Sequence, residues 1–329
     1  MSSENKLYLV TGGSGFLGSN LVKALVDRGE RVRVFDNNFR GSLAKLGDYI
    51  GKVEFVEGDV RDKAAVLRAM PGVGVLCHLA YINGTKYFYE MPKEVLDVGV
   101  KGTINMLEAA LESGVPDFVY ASSSEVYQTP PVCPTPETVP MCIPDPLNPR
   151  YSYGGGKLIG EILSFNYGRG RFRRTVVFRP HNVYGPDMGF EHVIPEFVTR
   201  LKKASMERPT GVLRFPIQGD GHETRAFCEV RDFTAGLLKV VDAGADQNVY
   251  HIGNDEEISI RELALLIAKK MGREIEFERT PLRAGGTPRR CPDIAKLRAL
   301  GYEPKIELAE GLDASIEWYS AWVERGDRR

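Results

Sequence analysis

The sequence predicts an α/β fold built on a doubly wound parallel sheet, followed by a smaller α/β part. Three observations support this prediction. Short apolar runs alternate with amphipathic helical patterns up to about residue 180, an order typical of parallel sheets covered by helices on both faces. A glycine-rich turn joins the first apolar run to the first helical pattern. Beyond residue 180 the alternation weakens, which indicates a second region of different design.

The predicted elements follow one another closely. Strands are predicted at 6–11, 31–35, 53–56, 73–79, 118–121, 175–178, 212–217, 248–252 and 274–278, and helices at 17–26, 63–70, 91–113, 151–167, 192–204, 233–243, 259–271 and 307–325. The proline-rich stretch 129–149 is predicted to be a constrained surface loop near the site. We predict a first domain over 1–180, to which the chain returns near 228–253, and a second region formed mainly by 181–329.

Composition limits the class of protein. The chain has 329 residues, 43% of them hydrophobic and 26% charged, with a formal net charge of −1. This balance predicts no broad attraction to nucleic acid or to an anionic membrane. No apolar run reaches the roughly 18 residues of a membrane span. Five scattered cysteines and a short polar N-terminus predict a cytoplasmic protein with neither disulfides nor a metal site.

The first predicted strand leads into a glycine loop that suits a dinucleotide. Gly12, Gly15 and Gly18 are spaced as G-x-x-G-x-x-G before a helical pattern. Glycines let the backbone turn tightly beside a pyrophosphate, and the helix N-terminus offers free N–H groups. Asp36 ends the second strand, where a carboxylate accepts from ribose hydroxyls and repels a 2′-phosphate. The sequence therefore predicts a Rossmann domain that binds NAD rather than NADP.

A second motif supplies candidate chemistry. Tyr153 and Lys157 are four residues apart and therefore lie on one face of the helix predicted over 151–167. A tyrosine with an ordinary pKa of about 10 needs a shift of roughly three units, about 4 kcal/mol, to act as a phenolate near pH 7. A neighbouring ammonium can favour the phenolate.

Several polar residues follow the predicted strands directly. Sites in doubly wound sheets collect at the carboxyl ends of strands, and five candidates occupy such positions: Asp36, Asp59, His78, Ser123 and Glu125. His78 is more simply explained as a packed histidine than as a catalyst.

With these residues in view, the chain resembles the extended short-chain dehydrogenases/reductases, and within them the NAD-dependent nucleotide-sugar epimerases and dehydratases. The resemblance covers nearly the whole chain. It is carried by the glycine loop with Asp36, Gly58-Asp59-Val60, His78-Leu79-Ala80, Gly102-Thr103 with Asn105, Ser123, Tyr153 with Lys157, Asn182-Val183-Tyr184-Gly185-Pro186, Gly219-Asp220-Gly221 with Arg225, and Arg289-Arg290 before Pro292-Asp293.

The resemblance implies roles for these residues. Tyr153 would remove a proton from a sugar hydroxyl, usually at C4, Lys157 would lower the tyrosine pKa, and Ser123 would share the proton movement. Residues implied to contact NAD are Gly12, Gly15, Phe16, Leu17, Asp36, Asn37, Asp59, Val60, Leu79, Ala80, Tyr153 and Lys157. Residues implied to contact a nucleotide-diphosphate sugar are Ser124, Asn182, His192, Arg225 and Arg289. The family also implies a homodimer formed through the helices near 95–113 and 151–167.

The particular reaction stays open between three outcomes. Glu125 is compatible with a 4,6-dehydratase and with a UDP-glucuronate-type decarboxylase, whereas simple C4 epimerases resembling this chain usually lack an acid there. Ser124 replaces the middle acid of many dehydratases, and Asp187 would oppose a sugar carboxylate. An NADP-dependent reductase and a non-catalytic NAD-binding sensor are more remote alternatives. Asp36 argues against the first, and the intact Ser123, Tyr153 and Lys157 argue against the second.

Two departures from the family pattern were also apparent. Gly99 stands where the family usually has asparagine, and Gly154, Gly155 and Gly156 follow Tyr153 in an unbroken run. Each glycine inside a helix costs about 1 kcal/mol relative to alanine. We expect close packing against this helix by the sugar, by a loop or by a second subunit, and on the first reading Gly155→Ala should raise the substrate KM.

Overall fold

The structure is a computed structural model, and it describes residues 6–281 and 287–326. A seven-stranded sheet forms its centre. Strands are β1 Leu7–Thr11, β2 Arg31–Asp36, β3 Glu54–Glu57, β4 Val73–His78, β5 Asp117–Ala121, β6 Arg174–Pro180, β7 Val183–Tyr184, β8 Leu213–Gln218, β9 Thr224–Ala226, β10 Cys228–Glu229, β11 Asn248–Ile252, β12 Glu257–Ser259, β13 Ile275–Thr280 and β14 Arg289–Arg290. The central sheet has the order β11-β6-β5-β4-β1-β2-β3.

Helices cover both faces of this sheet. They are α1 Phe16–Asp27, α2 Lys63–Ala69, α3 Thr85–Glu90, α4 Pro92–Leu96, α5 Gly102–Glu112, α6 Tyr151–Gly168, α7 Val193–Glu207, α8 Val230–Ala243, α9 Ile260–Lys270, α10 Ala295–Arg298 and α11 Leu308–Glu324. A π-helical turn, Asp97–Lys101, joins α4 to α5, and 3₁₀ segments lie at Leu43–Lys52 and Ser124–Val126.

Every pairing in the central sheet is parallel, and the strand ends are in register. Thr11 at the end of β1 pairs with Phe35 in β2 and with His78 in β4. All five residues of β1 are buried, as expected for a strand with a hydrophobic layer on each face. The sheet therefore brings the polar residues after β1, β2, β4 and β5 to one edge. The predicted doubly wound sheet is confirmed.

A smaller region packs beside the sheet. Its core is formed by apolar side chains of α7, α9 and α11, which pack on the two-stranded parallel sheet of β8 and β13. A three-stranded sheet, β12-β9-β14, lies at its border. Between these pieces the chain re-enters the central sheet, where β11 pairs with β6. A division of the chain near residue 180 stays an interpretation of this arrangement.

Several short elements differ from those that the sequence predicted. The helix expected over 91–113 is interrupted by the π-helical turn, α3 precedes it, and short strands β9, β12 and β14 form a sheet that periodicity did not indicate. These pieces are too short to show an apolar period of their own.

Over the described ranges, 6–281 and 287–326, no helix combines the length and the apolar character needed to cross a bilayer.

Candidate active site

A cavity of about 430 Å³ opens at the carboxyl ends of the central strands. It extends from the glycine loop and Asp36 to Ser123 and Tyr153. This is the position at which ligands bind in doubly wound sheets.

The glycine loop leaves the backbone bare where α1 begins. Gly12 has a φ of 70°, and a Cβ there would lie 2.8 Å from the backbone nitrogen of Ala80. Gly15 is the N-cap of α1 and has no side chain that could bond to the first turn. The N–H groups of that turn therefore stay available to an anion. Phe16 and Leu17 of that turn line the cavity. The loop fits a pyrophosphate.

Asp36 is fixed by the loop itself. Its carboxylate accepts hydrogen bonds from the backbone N–H groups of Ser14 (3.0 Å) and Asn38 (2.9 Å). The side chain is buried at the cavity wall. A carboxylate held rigidly at the end of the second strand matches an adenosine ribose and opposes a 2′-phosphate.

The end of the cavity beyond Asp36 is polar on one side and apolar on the other. Asn37 donates a hydrogen bond to Asp59 (3.0 Å), and Arg61 forms two hydrogen bonds with the same carboxylate. The Arg61 hydrogen bonds hold the pKa of Asp59 below its ordinary value despite partial burial. The apolar side is formed by Val60, Leu79 and Ala80.

Ser123 and Tyr153 meet at the other end. Ser123 begins the 3₁₀ segment 124–126, and its Oγ accepts from the Glu125 N–H over 3.1 Å. Burial raises the pKa of Tyr153 above its ordinary value, although a hydrogen bond with Ser123 lowers it. Phe88 stacks on the tyrosine ring at 4.8 Å between centroids.

Lys157 is buried in an aromatic setting. It donates a hydrogen bond to the Ala121 carbonyl oxygen, and burial lowers its pKa to about 7. Its ammonium lies 3.9 Å from the centre of the Tyr81 ring but 5.8 Å from that of Tyr153. Burial of the phenol is the largest influence on the Tyr153 pKa in this structure, and the lowering of that pKa by Lys157 stays a prediction.

Glu125 forms an ion pair at the cavity wall. Arg290 Nη1 lies 2.7 Å from Glu125 Oε1. Burial opposes the carboxylate charge, but Arg290, Arg150 and Arg225 together hold the pKa of Glu125 below its ordinary value. Burial and the neighbouring Arg290 lower the pKa of Arg225 to about 10. Glu125 is therefore a carboxylate among three guanidinium groups.

The residues expected at a substrate are not all in the cavity. Ser124, Asn182 and His192 line it. Arg225 lies close to Arg290 but outside the lining. Arg289 faces away.

The Arg289 guanidinium is half exposed and pairs with Glu257, and it also donates to the Cys133 carbonyl oxygen. Its neighbour Arg290 lines the cavity instead. The two residues form a short strand, in which successive side chains point to opposite faces, so only one of them can reach the cavity.

Two ion pairs join opposite sides of the cavity mouth. Lys45 lies 2.5 Å from Asp187, and Arg40 lies 3.6 Å from Glu191. Both lysine and arginine belong to the segment after β2, while both acids follow β7. The sequence predicts that Asp187 opposes a sugar carboxylate, but Lys45 compensates the charge of Asp187 in the structure.

His78 is a structural residue in this arrangement. Its ring nitrogens bond to the hydroxyls of Thr11 (2.8 Å) and Thr103 (3.1 Å). Burial lowers the pKa of His78 to about 3, so the ring is neutral near pH 7. The packed interpretation of this histidine is the one that the contacts support.

The glycine run of α6 is packed unevenly. A Cβ on Gly154 would lie 2.7 Å from Gln128 Nε2 and 2.9 Å from the Glu125 carbonyl oxygen, and a Cβ on Gly156 would collide with the Tyr81 hydroxyl. At Gly155 the nearest atom, of Ile143, is 3.7 Å away. Loops of this chain therefore occupy the space beside Gly154 and Gly156, and the geometry gives no reason for Gly155→Ala to change KM.

Sequence reasoning missed Tyr81, Phe88 and the cavity-facing role of Arg290. Phe88 belongs to the helix α3 that the sequence pattern did not predict. Tyr81 follows His78-Leu79-Ala80 directly, and an aromatic residue at that position was the available signal.

The fold and the cavity define a dinucleotide-binding enzyme of the Rossmann class. Residues 8–253 match the NAD dependent epimerase/dehydratase family, and the chain belongs to that family. It is an NAD-dependent enzyme, and the cradle of Gly12, Gly15 and Asp36 fits that cofactor.

Relatives with different reactions are similar to this chain. UDP-glucuronic acid decarboxylase 5 of Arabidopsis thaliana is 32% identical over 315 residues, which are 94% of this chain and 88% of the relative. A dTDP-glucose 4,6-dehydratase of Streptomyces antibioticus is 33% identical in an alignment 330 positions long that covers 96% of this chain and 94% of the relative.

Solved structures agree on the fold. The UDP-glucose 4-epimerase of Thermotoga maritima, solved with UDP-glucose, has a TM-score of 0.84 and 27% identity, covering 96% of this chain and 99% of its own. A dTDP-glucose 4,6-dehydratase of Streptomyces venezuelae, solved with NAD, has a TM-score of 0.84 and 29% identity, covering 97% and 98%.

Proposed function

We propose that this enzyme transiently oxidises a sugar carbon, C4 by resemblance to the family, of a nucleoside-diphosphate sugar and returns the hydride before the product leaves. The observation that carries the proposal is that Ser123, Tyr153 and Lys157 line the same cavity as Asp36 and the glycine loop. A cofactor seated on the loop would extend toward these side chains.

Each catalytic side chain has a role that its surroundings support. Tyr153 accepts the proton of the sugar hydroxyl, and Ser123 hydrogen-bonds the same oxygen and stabilises the developing charge. Lys157, fixed by the Ala121 carbonyl oxygen, supplies positive charge behind the tyrosine. Bound NAD supplies the hydride acceptor. The raised pKa of Tyr153 means that the phenol is protonated until substrate and cofactor change its surroundings.

Arginines are the proposed anchors of the diphosphate. Guanidinium groups bind phosphate oxygens through two parallel hydrogen bonds. We assign this role to Arg290 in place of Arg289, with Arg225 beside it, since Arg290 faces the cavity. Asn182 and His192 are the proposed contacts of the sugar.

The contacts of Glu125 favour one second candidate, decarboxylation of a nucleotide-linked uronic acid. Oxidation at C4 makes the C5 carboxylate β to a ketone, so carbon dioxide can leave without a strong base. Arg150 near Glu125 would offset a substrate carboxylate. Elimination of water needs an acid for the leaving hydroxyl, and Ser124 does not provide one.

The proposal extends to a cytoplasmic homodimer. Exposed apolar side chains occur at Leu96 of α4 and at Ile159 and Ile162 of α6, on the helices that the family would pair. Five free cysteines suit a reducing compartment. Light scattering of the wild type and of Ile162→Glu should give a dimer and a monomer respectively; a monomeric wild type would contradict the dimer.

The deciding experiment is mass spectrometry of the purified enzyme with NAD and a panel of UDP-, GDP-, CDP- and dTDP-sugars, uronic acids included. Loss of carbon dioxide would identify a decarboxylase, loss of water a dehydratase, and an isomer of unchanged mass an epimerase. Tyr153→Phe is the matched inactive control. Net consumption of the cofactor, or no turnover together with tight NAD binding, would contradict the proposal and favour a reductase or a sensor.

A further inference from the structure

Tyr81 contacts both Lys157 and Tyr153, although no sequence motif included it. It follows β4, and its ring lies 3.9 Å from the Lys157 ammonium. The ring of Tyr153 meets it edge-to-face, with 5.1 Å between centroids and an interplanar angle of 83°. One aromatic side chain therefore contacts both proposed catalytic residues and also lines the cavity.

The Tyr81 hydroxyl lies in a slot between two helical segments. A Cβ at Gly99, in the π-helical turn, or at Gly156, in α6, would collide with this hydroxyl. The hydroxyl is buried and has no hydrogen-bond partner in the part of the chain that the structure describes. Gly99 and Gly156 therefore leave the space that the Tyr81 hydroxyl occupies. Within the described residues, that hydroxyl makes no hydrogen bond that would explain why the space is kept.

The Lys157 ammonium needs a compensating partner. Within the described residues, its one hydrogen bond is to the Ala121 carbonyl oxygen. Titratable groups around it come from α6, from β4 and the residues after it, and from β5: Tyr153, Glu161, His78, Tyr81 and Tyr120. Glu161, the carboxylate among them, is engaged by Arg179 and Ser122. The remaining partner for the Lys157 ammonium is the nearest aromatic face, that of Tyr81.

We propose that Tyr81 is a positioning residue for catalysis: its ring holds the charged ammonium of Lys157 in place by a cation–π contact and supports the edge of Tyr153. A cation is attracted to the face of an aromatic ring within about 6 Å, most strongly where water is excluded. The ring thus favours the charged form of Lys157, which burial opposes. This inference rests on the proposed roles of Tyr153 and Lys157.

The first test compares two replacements that differ in the aromatic face. Tyr81→Phe keeps the ring and should keep the pH profile of kcat that the wild type shows. Tyr81→Leu keeps the site filled and apolar but removes the π face, which makes the charged ammonium less favourable. Lys157 should then lose its charge at lower pH, so the alkaline limb of kcat should move down by about half to one pH unit, with kcat near pH 7 reduced about 2- to 5-fold.

A readout independent of turnover follows the charge of Lys157 itself. Competitive labelling with acetic anhydride across pH, read by peptide mass spectrometry, should show Lys157 titrating at lower pH in Tyr81→Leu than in Tyr81→Phe. An unchanged titration and pH profile in Tyr81→Leu would overturn the inference. So would a loss of activity in Tyr81→Phe, because that result would assign the role to the hydroxyl.

A second test moves the ring without replacing it. Gly156→Ala should displace Tyr81 and reproduce the shifted pH profile of Tyr81→Leu. Adding Tyr81→Phe removes the colliding oxygen, after which the nearest Tyr81 atom, Cζ, would lie 3.4 Å from the new Cβ. The double variant should therefore regain the wild-type profile. Gly156→Ala with a wild-type profile, or a double variant without rescue at normal thermal stability, would contradict the inference.

The two proposals fail separately. Tyr153→Phe should abolish turnover whatever Tyr81 does, so an active Tyr153→Phe enzyme would refute the proposed function. If Tyr153→Phe is inactive and Tyr81→Leu behaves as wild type, only the role of Tyr81 is refuted.

Discussion

Arg290 donates a 2.7 Å hydrogen bond to Glu125 across the cavity wall, joining residues 165 positions apart in the chain. The pair brings the short strand β14 to the segment that carries Ser123. Glu257 and Arg289 form a similar pair immediately beside it but outside the cavity. Arg289 and Arg290 of one strand thus face opposite sides, and only Arg290 lines the cavity. The Arg289–Glu257 pair outside the cavity is therefore a control for the Arg290–Glu125 pair.

Replacement of Glu125 by glutamine should lower kcat by at least about tenfold. The change removes the negative charge that compensates Arg290, Arg150 and Arg225 and loosens the wall beside Ser123. Steady-state kinetics on the substrate found by mass spectrometry would measure it. Glu257→Gln removes the matching charge outside the cavity and should leave kcat unchanged; equal losses in both variants would indicate an effect of stability alone.

Asp36→Ala should reverse much of the preference for NAD. The alanine removes the ribose acceptor, which weakens NAD binding by about tenfold, and also removes the charge that repels a 2′-phosphate. The ratio of the Kd values for NADP and NAD should fall by about tenfold or more in calorimetric titrations. Asp27→Ala, which removes a surface acceptor of the Tyr49 hydroxyl, should bind both cofactors as the wild type does. A preserved ratio in Asp36→Ala would exclude Asp36 as the discriminating group.

Lys157 should make the stability of the cofactor-free protein depend on pH. Its folded pKa of about 7 lies below the unfolded value, so between pH 7 and 10 the unfolded chain binds more protons. Stability attributable to this residue therefore rises with pH, by at most about 1.4 kcal/mol per unit. Denaturant unfolding of wild type and Lys157→Met should show the variant gaining most at pH 7 and less at pH 9. A difference that does not change with pH would mean that the folded pKa is not depressed.

Gly154 and Gly155 should respond oppositely to alanine. Gly155→Ala has room beside Ile143 and should raise the free energy of unfolding by about 0.5–1 kcal/mol through helix propensity. Gly154→Ala places a Cβ against Gln128 and the Glu125 carbonyl oxygen, and should lower that free energy by about 1–3 kcal/mol. Thermal and denaturant unfolding would measure both. A stabilised Gly154→Ala would show that the segment 125–128 yields easily.

The sequence was most informative where a long-range pattern repeats. The strand at 248–252 was predicted with the bounds that the structure has, because an apolar run in a parallel sheet has its own signature. The π-helical turn at 97–101 left no such signature, since one extra residue per turn does not change the apolar period over a few residues. The same holds for β14, whose two residues show no alternation.

The choice between Arg289 and Arg290 illustrates a different limit. Motif reasoning located the pair, but side chains alternate across a strand, and only the pairing of β14 with β9 decides which arginine faces inward. The contact of Lys157 with Tyr81 could not be predicted from the sequence for a similar reason. It depends on a contact between a loop after β4 and a helix 76 residues later, which no local spacing specifies.

The ion pairs Lys45–Asp187 and Arg40–Glu191 bear on how long the cofactor stays bound. They connect the segment after β2 with the segment after β7, and Arg40, Lys45 and Asp187 line the cavity. We expect a departing dinucleotide to need these two segments to separate. An enzyme that returns its hydride needs the same molecule of NAD for both half-reactions, and slow exchange protects that pairing. Ion pairs weaken as ionic strength rises, so bound labelled NAD should exchange with free NAD faster at high salt. At low salt, the enzyme should still hold the labelled NAD after a complete turnover.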